Sequence, residues 1–193
     1  MSKKGKLIVL SAPSGAGKTS ICKELLKRNQ DWIFSISVTT RAKRDNETDG
    51  VDYIFTTKEK FEHLEKFGEL IESEWVHGNR YGTQAVQIEE ALDNNKIMIV
   101  DVDVKGAMNL IEDFEDDVIS IFIEPPGMND ADKKESLSDR LQKRGNTNDT
   151  LIKQRLKRFD FELSYKEKFN LTYVNEKLND AINKVEEFIK ENI

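Results

Sequence analysis

The stretch LIVLSAPSGAGKTSICKELL, Leu7 to Leu26, is an apolar run of strand length that breaks into small residues and resumes with Ile21, Cys22, Leu25 and Leu26 at helical spacing. Between its halves it nearly matches G-x-x-x-x-G-K-[ST], the pattern whose inward-facing backbone N–H groups cradle phosphates, with Ala12 where the first glycine is expected. The chemically necessary parts are kept. Gly15 and Gly17 permit a tight wrap, Lys18 brings a charge to the terminal phosphates, and Thr19 offers a hydroxyl to a magnesium ion. They sit at the start of a helix, whose dipole favours an anion. Ala12 falls where strand meets loop, a position that needs smallness more than positive φ. Ala12, Pro13, Ser14, Gly15, Ala16, Gly17, Lys18 and Thr19 are therefore expected to wrap the phosphates of a nucleoside triphosphate with Mg2+. The plainer reading, a small-residue turn that holds nothing, leaves G-x-G-K-T between strand and helix unexplained.

Outward from this stretch, strand-length runs alternate with segments of helical period. KLIVL precedes TSICKELLKR, IMIVDVD precedes VKGAMNLIEDF, VISIFIE precedes a long polar stretch and TLIKQRLKRFDFEL, and LTYVNE precedes DAINKVEEFIKENI. The alternation predicts an α/β fold, a parallel sheet flanked by helices, with Ile97–Val100 and Val118–Ile123 as strands buried on both faces. The 193 residues suit one domain. No apolar run reaches the roughly 18 residues a membrane span needs, and MSKKGKLIVL is too short for a signal-peptide core, so the expectation is a cytoplasmic protein without membrane contact. A net charge of −6 argues against the broad basic surface of a nucleic-acid binder. Cys22, the sole cysteine, is expected to be buried in the first helix; His63 and His77, the only histidines, make a poor zinc set.

Two segments interrupt the alternation. From about 35 to 86, short mixed strands, glycine turns and one helix predict a small α+β insertion. Its helix is expected to begin at Thr56, with Glu59 completing a capping box, and to end near Gly68. The core is then about 1–34, 87–126 and 156–193. From about 127 to 155 the chain is poor in apolar residues, although RLQKR has helix-forming character; a connection of this length is functional or disordered.

The insertion carries the sharpest signal. SVTTRAKRDNETDGVDYIF, Ser37 to Phe55, matches S-x-T-T-R-x-x-R-x-x-E-x-x-G-x-D-Y-x-F throughout and so resembles the guanylate kinase family. IESEW, NRYGT, the D-x-D of Asp101 and Asp103, FIEPP and the arginines at RGNT follow in the family's order, so the resemblance covers nearly the whole chain. It implies a P-loop NTPase fold with a GMP-binding insertion and a mobile lid at about 127–155. It implies an ATP-dependent nucleoside monophosphate kinase that moves the γ-phosphoryl group of ATP to GMP, or dGMP, in purine metabolism. By the same resemblance Glu72 faces the guanine N1–H and amino group, Ser37 meets O6, and Asp103 is a further acceptor. Arg41, Arg44, Tyr53 and Tyr81 hold the monophosphate, with Glu47 and Thr83 in support. Arg140, Arg144 and Arg155 resemble lid arginines that close over the ATP phosphates, which with Lys18, Arg41 and Arg44 completes the catalytic set. Asp101 joins Thr19 in supporting Mg2+.

These roles suit the chemistry. Adenine lacks guanine's donor pair and would leave Glu72 unpaired, a rejection worth factors of about 10⁴. An arginine fork grips phosphate oxygens at two points. A phosphate acceptor needs no general base, so His77 has no part. Taken singly, each residue has a plainer reading: solvated arginines, a half-buried tyrosine, Glu72 as an outward strand position, Arg140 and Arg144 on an exposed helix face. Two rival functions are an inactive guanylate-kinase-like protein-binding module, expected to lack the loop lysine, and a same-fold kinase of a sugar phosphate, which would not need Ser37, Glu72 and Asp103 together. A monomer and a homodimer are both consistent with the sequence. One departure stands out against the family's P-P-S-x-x-x-L-x-x-R-L: Gly127 replaces Ser and Arg140 comes several residues late. Met128 to Lys134 is therefore expected as a polar insertion without a core pattern, and deleting Asn129 to Lys134 is expected to leave thermal stability and GMP affinity nearly unchanged while altering kcat.

Overall fold

The computed structural model describes residues 5–45, 47–76, 78–143 and 149–193. The chain runs β1 (Lys6–Ser11), α1 (Lys18–Arg28), β2 (Ile33–Phe34), β3 (Val38–Thr39), β4 (Ile54–Phe55), α2 (Lys58–Lys66), β5 (Leu70–Val76), β6 (Asn79–Gln84), α3 (Ala85–Asp93), β7 (Ile97–Asp101), α4 (Val104–Phe114), β8 (Val118–Glu124), α5 (Asp130–Lys143), α6 (Asp149–Leu156), α7 (Phe159–Leu163), β9 (Leu171–Val174) and α8 (Leu178–Glu191). The all-apolar run Leu7–Leu10 has no polar face to offer water, and β1 accordingly lies at the centre of a parallel sheet ordered β2-β7-β1-β8-β9. The strand's period of two divides its side chains between two cores. Ile8 and Leu10 pack with Ile21 and Leu25 of α1 and Ile182 and Val185 of α8. Leu7 and Val9 pack with Ile88 of α3 and Val104 and Leu110 of α4. Each such side chain contributes about 1.5–3 kcal/mol on burial.

The insertion forms its own sheet, ordered β4-β3-β6-β5, with β5 and β6 a hairpin and α2 beside it. The cap of α2 is Thr57, not Thr56: its side chain accepts from Lys60 N, so Glu59 does not occupy the capping-box position. The helical run TLIKQRLKRFDFEL is broken. Arg158 N bonds Arg155 O, one residue tighter than an α-helical bond, and α6 gives way to α7 as Phe159 turns into the core. Among the described residues no helix is long and apolar enough to cross a membrane.

The expected polar insertion after the prolines is instead the start of α5. Asn129 Oδ1 accepts from Asp132 N, and the Asp132 carboxylate takes the Met128 N–H in return. Lys133 pairs with Glu124, a carboxylate 4% exposed, and Lys166 approaches the same group at 3.5 Å. Gly127, where the family pattern has Ser, has φ +150°, and a Cβ there would stand 2.5 Å from Lys133 N. The glycine and the turn into α5 thus belong together: Lys133 reaches Glu124, while residues 128–132 remain exposed. Lys133→Ala, which removes one partner of a buried charge, should cost about 2 kcal/mol and lower the melting temperature by roughly 4–8 °C in a thermal scan.

Candidate active site

The loop after β1 wraps as its glycines allow. Gly15 and Gly17 take φ values of +100° and +105°, and Ala16 N closes a turn on Pro13 O. Ala12 is buried at the strand end, as a small residue there should be; Ser14 is exposed. At the head of α1, Lys18 Nζ lies 2.6 Å from Asp101 Oδ1 and donates to Val102 O at 2.7 Å. Burial works against the ammonium, but Asp101 outweighs it and the Lys18 pKa stands above that of a free lysine. Thr19 Oγ1 donates to Asp101 Oδ2 at 3.4 Å.

From the far side Arg140 of α5 reaches the loop, donating to Ala16 O at 3.3 Å and Asn175 O at 2.9 Å. Asn175 Nδ2 donates to the same Ala16 carbonyl at 2.7 Å. A Cβ on Gly17 would fall 2.3 Å from that amide nitrogen, so a side chain there would displace the Asn175 amide as well as strain the backbone. Arg155 lies in the last turn of α6 and is not among the residues that line the cavity described next. Arg144 and His77 lie outside the described residues.

A cavity of about 670 Å³ opens between the two sheets. Its lining includes Lys18, Thr19 and Asp101 together with Ser37, Tyr53, Glu72, Tyr81 and Asp103. The hairpin sets Glu72 opposite Thr83, whose hydroxyl donates to Glu72 Oε1 at 2.7 Å. Gly106 leaves room for it, since a Cβ there would lie 2.9 Å from Glu72 Cγ. Burial above all, and then the nearby Asp103 and Glu74 against the Thr83 bond, push the Glu72 carboxyl up to about 7. Asp103 caps α4, accepting from Gly106 N at 2.9 Å.

Arg41 grips Glu47 through both terminal nitrogens, at 2.9 and 2.7 Å, and donates from Nε to the Tyr81 hydroxyl at 3.1 Å. Its guanidinium lies 5.2 Å from the Tyr53 ring. Glu47 also accepts from Arg44 N, while the Arg44 side chain is 70% exposed. Cys22 is buried in α1 with its thiol pushed up by burial, which keeps it neutral.

Four residues at the site carried no sequence signal of their own. Asn175 falls within LTYVNE, Glu74 within IESEW, and Arg158 and Glu162 within TLIKQRLKRFDFEL, with no motif to single them out. Arg158 Nη1 lies 2.5 Å from Glu74 Oε1 and Nη2 lies 2.8 Å from Asp103 Oδ2, contacts between segments far apart in the chain. The Glu162 carboxyl is pushed up to about 7, chiefly by burial.

A phosphate loop at the carboxyl end of a central parallel strand places the chain in the P-loop NTPase class. The family described as guanylate kinase matches residues 4–192. The chain is similar to the guanylate kinase of Chlorobium chlorochromatii, 44% identical across 94% of this chain and 93% of that one. It is similar to that of Clostridium tetani at 40% identity, across 96% and 86% of the two chains. The solved structure of guanylate kinase from Anaplasma phagocytophilum superposes with a TM-score of 0.77 at 32% identity, covering 98% of this chain and 87% of that one. The chain belongs to the guanylate kinase family, and is an ATP-dependent nucleoside monophosphate kinase.

The raised Glu72 pKa sets a sign for pH dependence. A carboxyl that titrates at about 7 when folded and near 4.5 otherwise holds its proton more tightly in the fold. Its contribution is therefore fully favourable below the lower value and is lost as pH rises through the upper one. Glu72→Gln, whose amide oxygen can still accept from Thr83, should stabilise the ligand-free protein at pH 8 by about 1–3 kcal/mol and change little at pH 4. Melting curves at the two pH values check this; an effect independent of pH would mean that Glu72 does not titrate as its burial dictates.

Proposed function

We propose that a single cavity receives both substrates of this enzyme, which transfers the γ-phosphoryl group of ATP to GMP. The observation that carries the assignment is the continuity of the lining, from Lys18, Thr19 and Asp101 to Glu72 and Asp103. ATP phosphates lie in the loop from Ala12 to Thr19, where inward N–H groups, the α1 dipole and Lys18 meet them. Lys18 exchanges its bond to Asp101 for phosphate oxygens. Arg140, already over Ala16, closes on the triphosphate from the α5 side, together with Arg144 and Arg155.

Guanine lies against Glu72, Ser37 and Asp103. The ionised Glu72 accepts from N1–H and the amino group, while the Ser37 hydroxyl donates to O6. The GMP phosphate rests on Arg41, Tyr53 and Tyr81, with Arg44 swinging in from solvent. Glu47 orients Arg41 and Thr83 orients Glu72. An ionised GMP phosphate oxygen attacks the γ-phosphorus in line; that bond forms as the bond to the bridging β–γ oxygen breaks, and ADP departs. No proton must be removed, because the phosphate is already a nucleophile at neutral pH.

Mg2+ fits the donor set. Thr19 Oγ1 and Asp101 Oδ2 are hard oxygens 3.4 Å apart. Among the described residues no cluster of three or more His, Cys, Asp or Glu could enclose a metal. That suits an ion that keeps several waters and takes the rest of its ligands from phosphates. When bound it neutralises charge on the β- and γ-phosphate oxygens.

The assignment is tested by steady-state assay with ATP and GMP, dGMP, IMP or AMP as acceptor. GMP and dGMP should be used best, IMP less well for want of the amino group, and AMP hardly at all. Lys18→Ala should lower kcat by about 10² or more with the circular dichroism spectrum unchanged, because it removes charge needed most as the phosphoryl group moves. A folded Lys18→Ala variant with wild-type kcat would place the chemistry elsewhere.

A further inference from the structure

Arg158 has no place in the assignment above, yet its guanidinium reaches three carboxylates on three elements. Nη1 lies 2.5 Å from Glu74 Oε1 on β5, Nη2 2.8 Å from Asp103 Oδ2 at the head of α4, and Nε 3.6 Å from Glu162 Oε1 on α7. Glu74 belongs to the insertion sheet, Asp103 follows a strand of the core sheet, and both line the cavity. We propose that Arg158 is a positioning residue for guanine: it ties Glu74 to Asp103 and thereby sets the gap between the strand carrying Glu72 and the core loop carrying Asp103. The inference rests on Glu72 and Asp103 as readers of the base.

The geometry gives the tie its leverage. Glu72 and Glu74 are two apart on one strand, so they share a face, and a restraint on one restrains the other. Asp103 is held at its other oxygen by Gly106 N, so Arg158 fixes the remaining freedom of that carboxylate. Without Arg158, Glu74 and Asp103 have no cation to join them, and the strand that carries Glu72 loses its tie to the core loop. The planar fork matters, since a lysine ammonium cannot serve three carboxylates arranged around a guanidinium. Arg158 is 40% exposed, so shortening it opens no hole in the core.

The experiment is steady-state kinetics with GMP and ATP varied in turn, on the full chain. Arg158→Gln should raise KM for GMP by about ten- to a hundredfold, the scale of losing charge-assisted hydrogen bonds. In the same variant KM for ATP should stay within about twofold and kcat at saturating GMP within about threefold, because the loss is in binding. Arg158→Lys should recover part of the GMP affinity. Glu74→Ala should also raise KM for GMP, and combining it with Arg158→Gln should add less than the sum of the two. An unchanged KM for GMP in Arg158→Gln, equal rises for both substrates, or strict additivity with Glu74→Ala would overturn the tie. Glu72→Gln is run beside these. If it impairs GMP use while Arg158→Gln does not, only the tie fails; if it spares GMP, the base-reading assignment fails and the tie with it.

Discussion

An ammonium group held mostly out of water must have a counter-charge, and the Lys18–Asp101 pair meets that requirement at the point where the whole site converges. It joins the first residue of α1 to the last residue of β7. Leu10 of β1 lies in register with Asp101 of the neighbouring parallel strand, so the loops that follow both strands emerge at one edge of the sheet. That edge carries the phosphate loop on one side and the Asp101-Val102-Asp103 turn on the other. In open parallel sheets, ligands bind outside the carboxyl ends of the strands for this reason.

The carboxylates around Glu72 obey the opposite logic. Glu72 is half-buried and Glu162 buried, and these two with Glu74 titrate above the ordinary carboxylate range mainly because burial disfavours their charge. The fold tolerates this acid cluster through a few donors: Thr83 on Glu72, Gly106 N on Asp103, and Arg158 among Glu74, Asp103 and Glu162. On the assignment proposed above, that local cost leaves a carboxylate ready to meet a donor-rich base. A cluster that carries a standing electrostatic cost when empty gains most from a ligand that supplies hydrogen-bond donors.

The central architecture was readable from residues that speak for themselves. LIVL, IMIVD, VISIFIE and LTYV became strands because each is apolar over a strand's length, and Gly15 and Gly17 took positive φ where the loop pattern needed it. What misled was local pattern without tertiary context. Thr56 and Thr57 can both cap a helix, and in the fold it is the Thr57 hydroxyl that accepts from Lys60 N ahead of α2. The segment after the prolines looked like free loop because its apolar content is low, but its helix is held by Lys133 reaching a buried Glu124. The run before α7 kept helical periodicity across Lys157 and Arg158, yet the chain bends there.

By itself the sequence determined the layered sheet, the phosphate loop and the family, because these rest on short-range patterns: apolar period, glycine spacing and contiguous motif residues. Only the tertiary structure decided which charges meet. That Glu72 leans on Thr83 follows from hairpin register, and that Lys18 finds Asp101 follows from two strands being neighbours. That Arg158 bridges Glu74 and Asp103 requires the insertion sheet, the core sheet and the bend before α7 to be placed at once. A periodic pattern states which face of an element is apolar. The partner of a long charged side chain is set by distances of a few ångströms between segments far apart in the chain, and those exist only once the elements have packed.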